Sequence, residues 1–346
     1  MSRRNRVLAV VFAVLIGLIL LVEKPWEGDA HAQTAASARP LLPALQREVE
    51  IARLRIQPTQ GGAAIHIEKV LDRGRPRWVV REAFDHPADV AKIGRLIESL
   101  RALETRDLES VNADSHAEYK LRDGEAIGVQ VWSDQGDQLA DLRIGGLRSQ
   151  DVMSGSTPIV QFFVRTGEGP EVYRSNVVYL PPEVPARWCE SRFLPLVSED
   201  QVRFLQRTDH VGRESWRIVL DPDVPKVDVQ DSGTEQELSG RWRMVMPESF
   251  VVPDFAGESW VFTMLGLEAA EVIGLATNAE GEALFGDLTD TFELGLEEGG
   301  FRIDLGDVLP DNRRAARVHG LPHLYALEDF DAQQLGQPVA EMLPKE

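Results

Sequence analysis

Hydrophobic positions along the chain follow three different patterns. Residues 7–22 form one run with no polar or charged side chain. From Arg47 the spacing changes: Ile51, Leu54 and Ile56, then Ala63, Ile65 and Ile67, then Trp78 and Val80, predict three strands, with Gly61 and Gly62 turning the chain between the first two. After Pro87-Ala88-Asp89, the apolar residues Val90, Ile93, Leu96, Ile97, Leu100 and Leu103 recur at intervals suited to one face of a helix, and Asp89 is placed to cap it. Strand-like runs return at residues 127–132, 139–144, 160–164 and 172–173.

The same order of signals comes round again. Trp242, Met264, Leu267 and Glu268 stand 164 residues after Trp78, Leu100, Leu103 and Glu104, and Pro253-Asp254 opens a second helical stretch. Residues 292–296 answer 129–132, 303–306 answer 142–145, and Leu324-Tyr325 answers Val172-Tyr173. Internal self-similarity of this kind predicts an α+β tandem duplication, each copy a mostly antiparallel sheet packed by one long helix. The expected copies are residues 46–182 and 210–346. A connector, residues 183–209, follows Pro181 and Pro182, contains Pro185, and is expected to form short helical pieces at 192–206 before strands restart at Trp216.

The apolar run changes the picture of placement. Arg3, Arg4 and Arg6 precede it, and Glu23, Lys24, Pro25 and Trp26 follow, the arrangement of an export signal with the cations retained inside. Sixteen helical residues reach roughly 24 Å, short of a roughly 30 Å hydrocarbon core, but Arg6, Lys24 and Trp26 can extend the usable length. The expected layout is a basic tail over residues 1–6, a transmembrane signal-anchor over 7–26 and an Ala/Ser/Thr/Pro-rich tether over 27–45. Ala30-His31-Ala32 leaves a second reading open, cleavage before Gln33 and release to the periplasm. Both readings put the body outside the cytoplasm, the first on a single-pass inner-membrane anchor.

Composition then narrows the partners. The chain has 346 residues, 43% hydrophobic and 27% charged, with a net charge of −19, which describes an ordinary globular body with a strongly acidic surface. Such a surface repels phosphate backbones, so nucleic acid is not an expected partner. The lone Cys189 excludes an intramolecular disulfide and reads as a structural thiol.

Candidate chemistry is sparse. His319 and His323 have the spacing of two zinc ligands on a helix, but Gly320-Leu321-Pro322 spoils that helix and no third ligand is evident. Asp221-Pro222-Asp223 and the pair Asp287 and Asp290 lack the alternating oxygens of a calcium loop and read as turns. Ser154-Gly155-Ser156-Thr157 lacks the glycines of a nucleophile elbow, and no phosphate loop is present. Trp78 and Trp242 precede the two helices in matching places, which predicts a helix-on-sheet core contact for both. No catalytic, cofactor-binding or metal-ligating residue is assigned, and neither cofactor nor nucleotide is expected.

Trp78-Val79-Val80, Pro87-Ala88-Asp89, the Leu/Ile helix, Tyr119-Lys120-Leu121, Ile144-Gly145 and Val172-Tyr173 together resemble the bacterial domain-of-unknown-function 4340 family. The resemblance covers about residues 45–205 and, more weakly, the second copy. It implies a single-pass envelope protein of unassigned activity, in some members encoded beside gliding-motility-type ABC transporter components. Lys120 stands where that family usually has Gly, at a turn that calls for positive φ. The expectation is a non-enzymatic, membrane-anchored accessory or scaffold protein with an envelope protein partner, auxiliary to an ABC-transporter-like complex. The alternative is a periplasmic module binding glycan, peptide or lipid in a cleft between the copies.

Overall fold

A computed structural model describes residues 38–150, 159–192, 194, 197–213, 215–224 and 241–335. The expected signal-anchor at 7–26, the Ala30-His31-Ala32 site and residues 154–157 lie outside them. No helix among the described residues is long and apolar enough to cross a membrane.

The protein is α+β, with two antiparallel nine-stranded sheets. The first sheet comprises β1 (Ile51–Gln57), β2 (Ile65–Asp72), β3 (Arg75–Val80), β4 (His86–Pro87), β5 (Leu108–Ser110), β6 (Ile127–Ser133), β7 (Gln138–Gln150), β8 (Ile159–Thr166) and β9 (Val172–Ser175). The second comprises β10 (Val202–Asp209), β11 (Trp216–Leu220), β12 (Trp242–Met246), β13 (Phe250–Val252), β14 (Glu271–Leu275), β15 (Asp290–Leu296), β16 (Gly300–Val308), β17 (Arg314–Val318) and β18 (His323–Leu327). Their strand orders are β4-β3-β2-β1-β6-β7-β8-β9-β5 and β13-β12-β11-β10-β15-β16-β17-β18-β14, the same order displaced by nine strands. The described chain packs as two compact units, one of residues 38–66 and 91–183 and the other of 67–90 and 184–335.

Registers agree as well as orders. Ile56 faces Val129 and Val129 faces Leu142; in the second sheet Arg207 faces Phe292 and Phe292 faces Ile303. Each first strand carries an irregularity near its start, between Ile51 and Arg53 and between Val202 and Phe204. Tyr173 faces Val164, and Tyr325 faces Ala316. Two twelve-residue helices, α1 (Val90–Arg101) and α2 (Asp254–Leu265), begin 164 residues apart. An isolated bridge lies just beyond each helix, Pro40 with Glu104 and Arg192 with Glu268.

The helices form for different local reasons. In α1, Ile93, Leu96 and Leu100 make a narrow buried stripe at helical spacing. In α2 the buried face is broader, with Ala256, Gly257, Trp260, Val261 and Met264, and Asp254 stands in the first turn. Arg241 braces that turn: its backbone N–H donates to Asp254 Oδ1 at 2.6 Å and its Nη2 to Glu258 Oε1 at 3.0 Å. Two shorter helices follow, α3 (Ala279–Ala283) and α4 (Asp329–Leu335).

Three local expectations change. Residues 202–209 are strand β10, not part of a run of helical pieces; among the described residues of that stretch the only helical turn is the 3-10 turn Glu199–Gln201. Alternation is hidden there because the irregularity between Val202 and Phe204 shifts the buried positions from Val202 to Leu205, and because a buried position carries Arg207. The tether also gives way to packed chain before residue 45: Leu41, Leu42 and Leu45 are buried, and Leu41 N–H donates to Leu103 O at 2.8 Å. Finally, Trp242 is buried while Trp78 is half-buried, with the Lys69 ammonium 5.3 Å from its ring centroid. A Cβ on Gly257 would collide with the Trp242 indole, so the glycine makes room for the ring on α2. The matching position in α1 is Ile93.

Candidate functional site

One motif quoted for the family acquires a structural cause. Lys120 has φ 54°, the left-handed conformation its position calls for, and Gly146 N–H donates to Tyr119 O at 2.8 Å. A Cβ on Gly145 would run into the Tyr119 carbonyl oxygen and the Leu121 side chain, so the turn lies directly on the glycine. Tyr119 packs beside the buried cluster of Leu121, Ala126, Phe163 and Val172. The second sheet repeats the contact: Asp307 N–H donates to Leu284 O at 2.9 Å, and a Cβ on Gly306 would collide with that same oxygen. These residues shape the body.

Polar chemistry gathers in the second unit, in three places. The first is the start of β15. Arg207 Nε donates to Asp290 Oδ1 at 2.8 Å, with both side chains almost wholly buried, and Arg213 Nη2 donates to Asp290 Oδ2 at 2.6 Å. Arg213 also holds Asp209 through its backbone N–H and its Nε. Burial pushes the Asp209 carboxyl up, but these Arg213 contacts and the Arg207 charge outweigh it and leave the group below the usual carboxylate range. Asp290 is therefore a buried strand residue in an ion-pair network and not the turn residue expected. Asp223 N–H bonds to Asp221 Oδ1 at 3.1 Å, which is a local turn of the kind read from the sequence.

The second place is Asp304 on β16, buried at 1% side-chain exposure. Its oxygens accept from Arg317 Nη2 at 2.8 Å, His319 Nε2 at 2.7 Å, Thr291 Oγ1 at 3.0 Å and Arg302 Nε at 3.1 Å. Burial raises the carboxyl, and those four donors overcome it and hold it well below the ordinary range. Four donors on one carboxylate make a structural hub; the acid has no proton to offer at neutral pH. His210 Nε2 extends the chain by donating to Thr291 Oγ1 at 3.1 Å.

The third place combines a cleft with a buried ring cluster. The cleft, about 280 Å³, is walled by Glu82 and Ala83, by residues 184–187, by residues 270–272 and by Arg313. Arg313 Nη2 is tied to Glu271 Oε2 at 2.6 Å and also pairs with Asp311; these bonds raise its pKa against the cost of burial. Arg187 is exposed at the rim. Beside it, His86 and His323 meet edge-on with ring centroids 4.7 Å apart, and Tyr325 lies 5.7 Å from His86. Both histidines are buried. Burial, then the neighbouring His323, press His86 down to about 4, and burial also lowers His323. Burial and the nearby Cys189 raise Tyr325 to about 12, so all three rings are neutral at pH 7. Cys189 is a buried thiol outside any disulfide, and its Sγ–H reaches Pro185 O at 3.6 Å.

His319 and His323 therefore do not act together. One hydrogen-bonds Asp304 on the sheet, and the other opens β18 as a buried residue instead of lying in a loop. Among the described residues, no group of three or more His, Cys, Asp and Glu could hold a metal ion. His86 was not singled out in the sequence, because nothing in its neighbours announces burial; its partner lies 237 positions away.

The geometry thus defines an α+β body of two like-ordered sheets with polar residues tied into networks. Residues 78–237 match the family model described as Domain of unknown function (DUF4340), the family that the sequence motifs resemble. The match begins at Trp78, the first motif residue of the resemblance, and runs past β11. Comparison with curated proteins and with solved structures gives no match.

Proposed function

We propose that the chain is a membrane-anchored, extracytoplasmic accessory or scaffold protein, its body a tandem duplication of one α+β unit covered by one twelve-residue helix. The observation that carries this reading is the repeated strand order and register, with matched helices 164 residues apart. The titratable groups the fold brings together in the second sheet bind one another, as Asp304 and Asp290 illustrate, and so brace the framework. The anchor rests on residues 7–26 and the auxiliary role beside an ABC-transporter-like complex on the family resemblance. Affinity isolation from mildly solubilised membranes tests the role: recovery of the same envelope proteins supports it, and repeated recovery of the chain alone contradicts it. Determining the mature N-terminus tests the anchor, since a start at residue 1 or 2 supports it and a start at Gln33 means release.

The cleft in the second unit favours a second reading, a periplasmic binding module. Its lining has charged ends and aliphatic walls but no aromatic ring for stacking a sugar, so a peptide suits it better than a glycan. Binding of extended peptides that R187E abolishes would support this reading; binding unaffected by that change would count against it.

A further inference from the structure

The His86 and His323 pair does something that neither proposed role requires. His323 Nε2 donates to Phe84 O at 3.0 Å, and His86 Nδ1 donates to Pro87 O at 3.0 Å. Between these contacts, Phe84 and Asp85 are two consecutive non-glycine residues at φ 58° and 59°, a conformation that L side chains adopt at a cost. Phe84 is 42% exposed, so it is not anchored in the core. Arg81 Nη1 pairs with Asp85 Oδ1 at 2.9 Å from one side and backbone bonds fix Pro87 to Asp89, while on the β18 side His323 clamps the turn's carbonyl and His86 meets the rings of His323 and Tyr325.

We propose that His86 and His323 form an acid-released latch that pins the segment 81–90 onto β18 and keeps the adjoining cleft in its closed-walled form. The groups facing the pair make the latch asymmetric towards acid. Arg77 of β3 disfavours a charge on either ring, Asp85 in the turn favours one on His323, and Tyr325, raised to about 12 by burial and the nearby Cys189, carries no charge at neutral pH. Two imidazolium rings at a 4.7 Å centroid separation repel, and a buried charge on either one lacks water. The sign follows from linkage. His86 binds its proton less readily folded than unfolded, so its contribution is complete above about 6.5 and is lost as pH falls towards about 4. The carboxylates Asp209 and Asp304 respond only below the ordinary carboxylate range, which separates the two events. The second sheet supplies a non-titrating control: the position matching His86 is Phe250, since Val80 faces His86 as Met244 faces Phe250.

Amide hydrogen exchange of the full chain, corrected for the intrinsic pH dependence, tests the latch on peptides covering 81–90. The wild type is expected to exchange there at least tenfold faster at pH 4.5 than at pH 7, while peptides of β15 and β16 stay protected. The variant H86F/H323Q keeps an aromatic ring and a side-chain N–H for Phe84 O but cannot charge, and is expected to hold the segment at both pH values. Unchanged exchange in the wild type, or equal acid opening in the variant, overturns the proposal. If the variant does not fold at pH 7, histidine NMR titration of the wild type decides. A depressed His86 midpoint coinciding with the opening supports the latch, and two ordinary midpoints near 6.5 overturn it.

Discussion

The first and second sheets fill one matched set of positions in opposite ways. Where the first sheet has buried Ile56 on β1 and Ile127 on β6, the second has buried Arg207 on β10 and Asp290 on β15. One turn away on β7 and β8, the facing pair Arg143 and Arg165 is matched on β16 and β17 by Asp304 and Arg317. Arg165, with a like-charged neighbour, spends its donors on the carbonyls of Leu121, Thr166 and Gly167. Arg317 spends one on Asp304. The backbone hydrogen bonds stay the same: Gly167 N–H reaches Asp141 O, and His319 N–H reaches Arg302 O, both at 2.9 Å. Register is set by the ladder and by the buried alternation, and tolerates either an apolar pair or a satisfied ion pair at one site.

The largest effect should come from breaking that ion pair. Asp290→Ala removes the acceptor of the buried Arg207 Nε and leaves Asp209, 3.8 Å from its Nη2, as the facing carboxylate; the change is expected to cost about 3–5 kcal/mol in urea unfolding. Ile127→Ala in the first sheet leaves only a cavity and should cost about 2–4 kcal/mol. The tryptophans separate next. Trp242→Ala empties the space against Gly257 and should cost about 3–5 kcal/mol, whereas Trp78→Ala, at a half-buried site under Lys69, should cost about 1 kcal/mol.

The glycines probe where the sheets agree. Gly145→Ala and Gly306→Ala each push a Cβ into a carbonyl oxygen, and both are expected to lose about 1–3 kcal/mol. Similar losses would show that the turn-on-glycine contact is one feature used twice; loss at Gly145 alone would confine it to the first sheet. Smallest is Lys120→Gly. Relief of the left-handed strain, set against the greater freedom of an unfolded glycine, should raise the melting temperature by an amount worth about 0.5 kcal/mol.

The sequence made part of this legible. Leu142 to Gly145 and Ile303 to Gly306 could be matched by eye because their buried residues alternate and end on a required glycine, and they occupy matching registers. The helices matched because their apolar faces begin after similar proline-bearing starts. Strand β10 escaped because Arg207 breaks its apolar alternation, and β5 and β13, at three residues each, are too short for a period to show. The ring cluster was invisible because His86 and His323 are joined only by the fold.

The central claim is that matched positions in the two sheets are physically interchangeable, and completing the mutant cycle at the ion pair tests it most directly. The double variant R207I/D290I installs the first sheet's pair, leaves Arg213 on Asp209, and is measured by urea unfolding beside R207I and D290I. The account predicts that the double variant stays within about 1.5 kcal/mol of the wild type while each single change loses about 3–5 kcal/mol. A double variant that loses the sum of the two single changes would contradict it.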